Sequence, residues 1–371
     1  EREGPRQMVL YALPYRCPSR SRRRRPLYEP ARHAGGLVFC SFLRCSQGAA
    51  VGAGSNGQRW LSSSAFDPEL FWRQGYVLLQ NFASKEEVDG IRGAIRRIID
   101  DWNPEDGSIR QSLSLRRWQD EDCNGASDCE TDHSFFLGSA AEARVFVDPG
   151  VVDVTTDALK PGTLKRWAVR KIGHGLHLAD GPIRDFVRSP RVAAVARHLG
   201  WQSPVLVQVV ARIMNNAGVD RHQDSSTLFT EPLSCLTYVL ALEDADVSNG
   251  CFHVLPGSHR LPVPERLVRR NSSGANGGEA ERVQLLFQRL ANVTEAPDSD
   301  FVPVAVQAGD IVVIHGSLRH LSVPSSVVNR SRETLQFHVV ESDATWPADN
   351  WLQYPPGLDF VPFARPPVDE L

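Results

Sequence analysis

At 371 residues, with 42% hydrophobic and 23% charged side chains, the chain can bury a large core and is globular in bulk. Its net charge of −3 hides an asymmetry: residues 1–65 carry eleven Arg against three Glu, leaving 30 basic against 41 acidic side chains from residue 66 onward. An acidic body excludes nucleic acid as its natural partner, and no apolar run reaches the roughly eighteen residues of a membrane span.

Residues 1–65 read as a disordered leader. "RSRRRRP", "SQGAAVGAGSNG" and "RWLSSSA" are rich in Arg, Gly and Ser, and Glu29 is the sole acid between Gln7 and Ala65. That is the composition of a mitochondrial targeting segment. The cytoplasm is an alternative, as is the ER lumen, since "GLVFCSFL" behind four arginines resembles a short secretory core and the chain ends in "VDEL". Gly52–Gly57 satisfies G-x-G-x-x-G, but with neither a strand before it nor a helix after it the match is not a dinucleotide site. Seven cysteines without a C-x-x-C pair point to free thiols, with Cys123 and Cys129 solvated in an acidic loop.

From Phe66 the pattern sharpens into one domain running to residue 371. Asp67-Pro68 caps a short helix that Gly75 ends, and "YVLLQNF" (76–82) reads as a strand. Ser84 and Glu87 form a capping box before Val88, Ile91, Ile95, Ile98 and Ile99, which recur at helical spacing. Residues 103–133 read as an exposed polar loop, and a second capped helix starts at Ser189-Pro190.

After Gly200 the texture is β: "VLVQVVARIM" (205–214), "LTYVLALED" (236–244), "CFHVLPG" (251–257), "FVPVAV" (301–306), "DIVVIHG" (310–316) and "TLQFHVVE" (334–341). Asn249-Gly250 predicts a hairpin turn between two of these strands. Helices followed by many short strands predict a mainly β fold with flanking helices, a jelly roll whose strand core spans about residues 203–341. The stretch 261–300 interrupts it with "NSSGANGGE", a helical-looking "AERVQLLFQRLA" and a basic "ERLVRR" that reads as a solvated helix end. A segment that long suggests a lid.

The chemistry centres on His222 and Asp224. On a strand, residues two apart face the same way and can chelate together, but with eleven histidines in the chain one His-x-Asp match is expected by chance. A third imidazole would complete the facial set of a non-haem iron(II) oxygenase, which leaves positions open for co-substrate and O2. His315, His320 and His338 are the candidates. An acidic co-substrate also needs a guanidinium, because Arg pairs with carboxylate through two parallel hydrogen bonds. Arg332 starts the strand after His320, with Thr334, Gln336 and His338 sharing its face; Arg330 has the same parity, and alternation does not choose between them.

In order along the chain, "KIGHGLH" (171–177), "HQDSSTLFTEPL", "EDADVSNGCFHVLPGSH", "VVIHG", "HLS" (320–322), "NRSR" (329–332) and "TWPADNWLQ" resemble the phytanoyl-CoA dioxygenase (PhyH) family over roughly 66–355, most of all the subgroup called phytanoyl-CoA dioxygenase domain-containing proteins. The resemblance implies a double-stranded β-helix, cupin-like in architecture, that binds Fe(II) and 2-oxoglutarate and consumes O2. By the same resemblance His222, Asp224 and His320 are the metal ligands and carry catalysis. Arg332 and Ser322 hold the distal carboxylate of 2-oxoglutarate, and Lys171 is a further co-substrate contact. Tyr238 stands where relatives carry Trp beside the co-substrate, and Val210 where they carry Met.

The implied activity is hydroxylation of a C–H bond in a small-molecule or acyl substrate, with release of succinate and CO2. The CoA thioester in the family name does not transfer by itself. The alternatives are a jelly-roll binding module with a non-catalytic metal, and an oxygenase acting on a protein side chain, which would need an open cleft. The remaining histidines read as structural: His315 as a strand-end residue, His174 and His177 as packing, His253 as core-adjacent and His259 as exposed. Nothing in the sequence fixes an oligomeric state.

Overall fold

The computed structural model describes residues 66–119, 133–153, 155–214, 218–272, 282–327 and 330–363. The leader 1–65 with its G-x-G-x-x-G, Cys123, Cys129 and the terminal "VDEL" lie outside the described residues. The chain separates into two units, Glu1–Gly52 and Ala53–Leu371, and everything described falls in the second.

Helix α1 (Pro68–Gln74) begins where the Asp67 carboxylate accepts the Glu69 N–H at 2.9 Å and stops at Gly75, whose φ of 88° suits only glycine. After strand β1 (Tyr76–Leu79), α2 (Lys85–Asp101) carries the reciprocal Ser84/Glu87 capping box and buries Val88, Ile91, Ile95 and Ile99 on one face. The polar stretch expected as a loop is instead helical over α3 (Ser108–Gln119). Its first turn is tied down by the Trp102 indole N–H donating to Ser108 Oγ at 2.8 Å and by the buried Ile109, too little apolar content to show as periodicity.

Helix α4 (Ser134–Gly138) leads into β2 (Ala143–Val147), the short pair β3 (Val152–Asp153) and β4 (Ala158–Leu159), α5 (Lys165–Ala168) and β5 (Val169–His174). Helices α6 (Pro182–Val187) and α7 (Pro190–His198) follow, then β6 (Pro204–Met214), β7 (Val219–His222), β8 (Leu236–Ala241) and β9 (Phe252–Val254). Seven more strands follow: β10 (Glu265–Ser272), β11 (Arg282–Arg289), β12 (Val302–Val304), β13 (Ile311–His315), β14 (His320–Ser322), β15 (Arg332–Glu341) and β16 (Val361–Pro362).

The large sheet runs β1-β13-β8-β15-β6-β5-β2, with β16 also on β6, and the small sheet runs β12-β9-β14-β7. Ladder neighbours are antiparallel and mostly non-consecutive in the chain, the wiring of a jelly roll. The outer face of the large sheet packs on the helices, where Ile91, Ile95, Phe186 and Val192 meet Tyr238, Leu240 and Phe337. Between the sheets lies a smaller core of Val239, Phe252, Val254, Val312, Ile314 and Leu318. Strand β6 is buried along nearly its whole length, which is why its sequence reads as a continuous apolar run.

Two expectations are corrected. "AERVQLLFQRLA" forms no helix: its residues 282–289 are β11, paired residue by residue with β10, so "ERLVRR" is the other half of an antiparallel ribbon. Leu267 and Leu285, on one face of the ribbon, turn inward to Trp351 and Leu352, and the straight-chain helix formers around them mask the strand in the sequence. Asn249-Gly250 makes no hairpin either. It closes a 3₁₀ turn over Val247–Asn249 with Gly250 at φ 78°, and β8 and β9, on either side, belong to different sheets.

Candidate metal centre

Strands β7 and β14 are neighbours in the small sheet, with His222 directly opposite His320. The two rings therefore lie side by side, centroids 4.1 Å apart. Contrary to the same-strand expectation, β7 ends at His222 and Asp224 opens a 3₁₀ turn. The backbone there leaves the ladder because Gln223 Nε2–H donates to Ser317 O at 2.5 Å and Ser225 N–H to Gly316 O at 2.9 Å. The turn swings the carboxylate under both imidazoles, with Asp224 Oδ1 3.6 Å from His222 Nε2 and 3.8 Å from His320 Nε2. One ligand atom from each residue lies within 4.8 Å of the other two, a facial three-point set.

The tautomers are set by backbone. His222 Nδ1–H donates to Asp220 O at 2.7 Å and His320 Nδ1–H to Leu318 O at 2.9 Å, so each Nε2 lone pair points into the centre. Burial, reinforced by the neighbouring His320, lowers the His222 imidazole to about 3. Burial likewise lowers His320, so both rings are neutral ligands at physiological pH. Burial alone would raise Asp224, but the imidazoles of His320, His338 and His222 around it win and hold it well below the usual carboxylate range. Its outer oxygen accepts Thr237 Oγ1–H at 2.7 Å and lies 3.7 Å from His338 Nε2, whose Nδ1 accepts from Gln208 Nε2 at 3.1 Å. His338, one of the three ligand candidates, thus supports Asp224 from behind. His315, the other, sits on β13 in an aromatic cluster with Phe71, Trp72 and Trp201.

Arg332 is 3% exposed, and its Nε has no partner among the described residues. Arg330 instead lies at the surface near Asp246 and Ser248. Ser322 is buried at the end of β14, and Lys171 lines the cavity beside the triad, its Nζ 3.2 Å from His174 Nε2.

Tyr238 is corrected: its ring stacks on Phe337 at 4.7 Å and its hydroxyl donates to Val192 O, on the helix side of the sheet. One residue's difference along a strand exchanges faces, so the inward residues of β8 are Thr237 and Val239. His259, expected exposed, is buried with Nε2 3.0 Å from Trp72 O. His174 and His177 turn to separate partners, Ser139 and Tyr354, as packing residues do.

His222 and Asp224 line a cavity of ≈ 940 Å³ together with Lys171, Arg212, Gln336 and His338 and with the apolar Phe146, Leu267, Leu285 and Trp351. Arg212 and Thr237 went unread in the sequence. The signal for Arg212 was a lone charge inside the apolar "VLVQVVARIM", and for Thr237 the parity of its strand.

The model of the family described as phytanoyl-CoA dioxygenase (PhyH) matches residues 71–331. The chain belongs to the phytanoyl-CoA dioxygenase family. It is 34% identical over 79% of its length to phytanoyl-CoA dioxygenase domain-containing protein 1 of Bos taurus, covering 96% of that protein. It is 32% identical over 77% of its length to phytanoyl-CoA dioxygenase of Arabidopsis thaliana, covering 92% of that one. The carbocyclase SnoK from nogalamycin biosynthesis, a non-haem alpha-ketoglutarate-dependent enzyme, superposes with a TM-score of 0.51 at 17% identity, over 84% of this chain and all of the other, and so shares the fold.

As a family member the chain is an oxidoreductase, a 2-oxoglutarate-dependent dioxygenase using Fe(II), 2-oxoglutarate and O2. Its residues fit that chemistry. Two imidazoles and one carboxylate suit iron(II), and a buried guanidinium with an unpartnered N–H suits an acid co-substrate. No helix among the described residues is long and apolar enough to cross a membrane.

Proposed function

We propose that this dioxygenase hydroxylates a C–H bond of a small-molecule or acyl substrate held in the cavity above the triad. His222, Asp224 and His320 hold the iron. Arg332 and Ser322 take the distal carboxylate of 2-oxoglutarate, and Lys171 adds positive charge from β5, two strands from β15 in the large sheet. When bound, iron, 2-oxoglutarate and O2 together supply the oxidising power, with succinate, CO2 and the hydroxylated substrate as products. The protein orients the rings through Asp220 O and Leu318 O, and Thr237 and His338 fix the carboxylate.

The observation that carries this reading is the triad itself, three ligand atoms within 4.8 Å at the floor of a cavity. The β10-β11 ribbon supplies part of the wall through Leu267 and Leu285, which favours a small substrate over a protein side chain. His222→Ala, Asp224→Ala and His320→Ala are each expected to lose bound iron and to stop succinate release from 2-oxoglutarate, since three protein ligands leave no reserve. Measured iron content and wild-type turnover in the His320→Ala protein would sink the assignment.

A further inference from the structure

Arg212 is a cation of the cavity that the co-substrate reading above does not use. Lys171 on β5 and Arg212 on β6 are cross-strand partners, both line the cavity, and Arg212 in turn faces Thr334 on β15. Arg212 donates Nε–H to Gln336 Oε1 at 2.7 Å, a neutral acceptor. Neither Lys171 nor Arg212 has an ion pair with a carboxylate among the described residues; Lys171 Nζ sits instead 4.3 Å from the Phe146 ring centroid. Both side chains are half-buried, and a partly dehydrated guanidinium whose hydrogen-bond partner is neutral gains from an anion in the cavity, beyond the charge of Asp224 that already favours its charged form.

Arg332 already provides a separate buried guanidinium at the start of β15. The same cavity is also lined by the apolar Leu267, Leu285 and Trp351 and by the carboxylates of Asp220, Asp224, Glu265 and Glu295. The arrangement offers an anion seat beside the metal ligands and a greasy wall beyond it.

We propose that Arg212 is the specificity residue for the prime substrate and binds its carboxylate, so that the substrate is a free hydrophobic acid and not a neutral alcohol or a thioester. This rests on the dioxygenase reading above and deepens it. The carboxylate takes the two Nη groups of Arg212, the hydrocarbon lies along Leu267, Leu285 and Trp351, and the C–H groups near the acid end come over the triad. In a thioester of the same chain the acid end is uncharged and leaves Arg212 unmatched.

The test uses the full-length chain loaded anaerobically with Mn(II) and 2-oxoglutarate, titrated calorimetrically with decanoate, decan-1-ol and decanoyl-CoA. Loading itself reports on the iron and co-substrate reading, so its failure is separate from failure of this inference. Decanoate is expected to bind at least tenfold tighter than decan-1-ol or decanoyl-CoA. Arg212→Met should remove that preference, lowering decanoate affinity at least tenfold more than 2-oxoglutarate affinity, and Arg212→Lys should restore part of it. Equal binding of decanoate and decan-1-ol by the unsubstituted chain would overturn the inference, as would absence of decanoate binding. A larger loss of 2-oxoglutarate than of decanoate in Arg212→Met would also overturn it, by placing Arg212 in the co-substrate site.

Discussion

Arg330 and Arg332 share a sequence parity and a residue type, yet their surroundings give them opposite energetics. Arg330 has a side chain 41% exposed, 3.8 Å from Asp246 Oδ2, an ion pair worth at most about 1 kcal/mol in water. Arg332 is buried, and burial lowers its guanidinium to about 10, still charged at neutral pH. Removing the cation that pairs with a buried carboxylate costs about 3–5 kcal/mol, or two to three orders of magnitude in affinity. Arg332→Ala is therefore expected to raise the 2-oxoglutarate requirement by that factor while iron content stays near wild type, and Arg330→Ala to change neither. Titrating 2-oxoglutarate into both iron-loaded variants decides it; a damaging Arg330 change would move the anchor.

At the scale of elements, β13 shows how a strand can place a histidine close in sequence to the centre and remote from its chemistry. His315 is the last residue of β13, packed on α1 through Phe71 and Trp72, with Ser317 N–H donating to its Nδ1 at 3.1 Å. Burial, with a contribution from His259, lowers its imidazole from 6.5 to about 4. Above pH 6.5 the ring is neutral folded or unfolded and stability is unaffected. As pH falls from 6.5 to 4 the unfolded chain takes up a proton that the folded chain refuses, so stability drops by up to about 3 kcal/mol and then levels. His315→Asn keeps an acceptor for Ser317 N–H and should flatten this limb in urea unfolding at pH 7, 5.5 and 4.5, with iron content unchanged. Loss of iron would make His315 a ligand.

The ribbon β10-β11 belongs to the same scale. Gln, Leu and Arg in "RVQLLFQR" favour helix intrinsically, and the strand exists because β10 lies alongside and Trp351 receives Leu285. Local propensity yields there to a partner that periodicity cannot see. The caps of α1 and α2 behave oppositely, because a capping hydrogen bond closes within a few residues and is complete in the local sequence.

For the whole molecule, both cores and the cavity are assembled from residues 66–363, and the family match begins at residue 71. A chain starting at Phe66, which is itself buried in the helix-side core, is expected to fold and to release succinate within about twofold of the full-length rate, because residues 1–65 lack the periodic apolar content of a packed element. Purification of both forms and a side-by-side turnover assay measure this. Failure of the shorter form to fold would make residues 1–65 structural.

The sequence by itself determined the ligand types, their order, the helix caps, the strand-rich second half and the family resemblance, all of which are carried by residue identity or by hydrogen bonds spanning a few positions. Only the tertiary structure decided which histidine joins His222, that Asp224 leaves the strand, that Tyr238 faces the helices and Thr237 the metal ligands, and that Arg212 stands beside Lys171. Those outcomes depend on antiparallel register between strands far apart in the chain. A shift of one residue there exchanges the two faces of a strand without changing a letter of its local pattern.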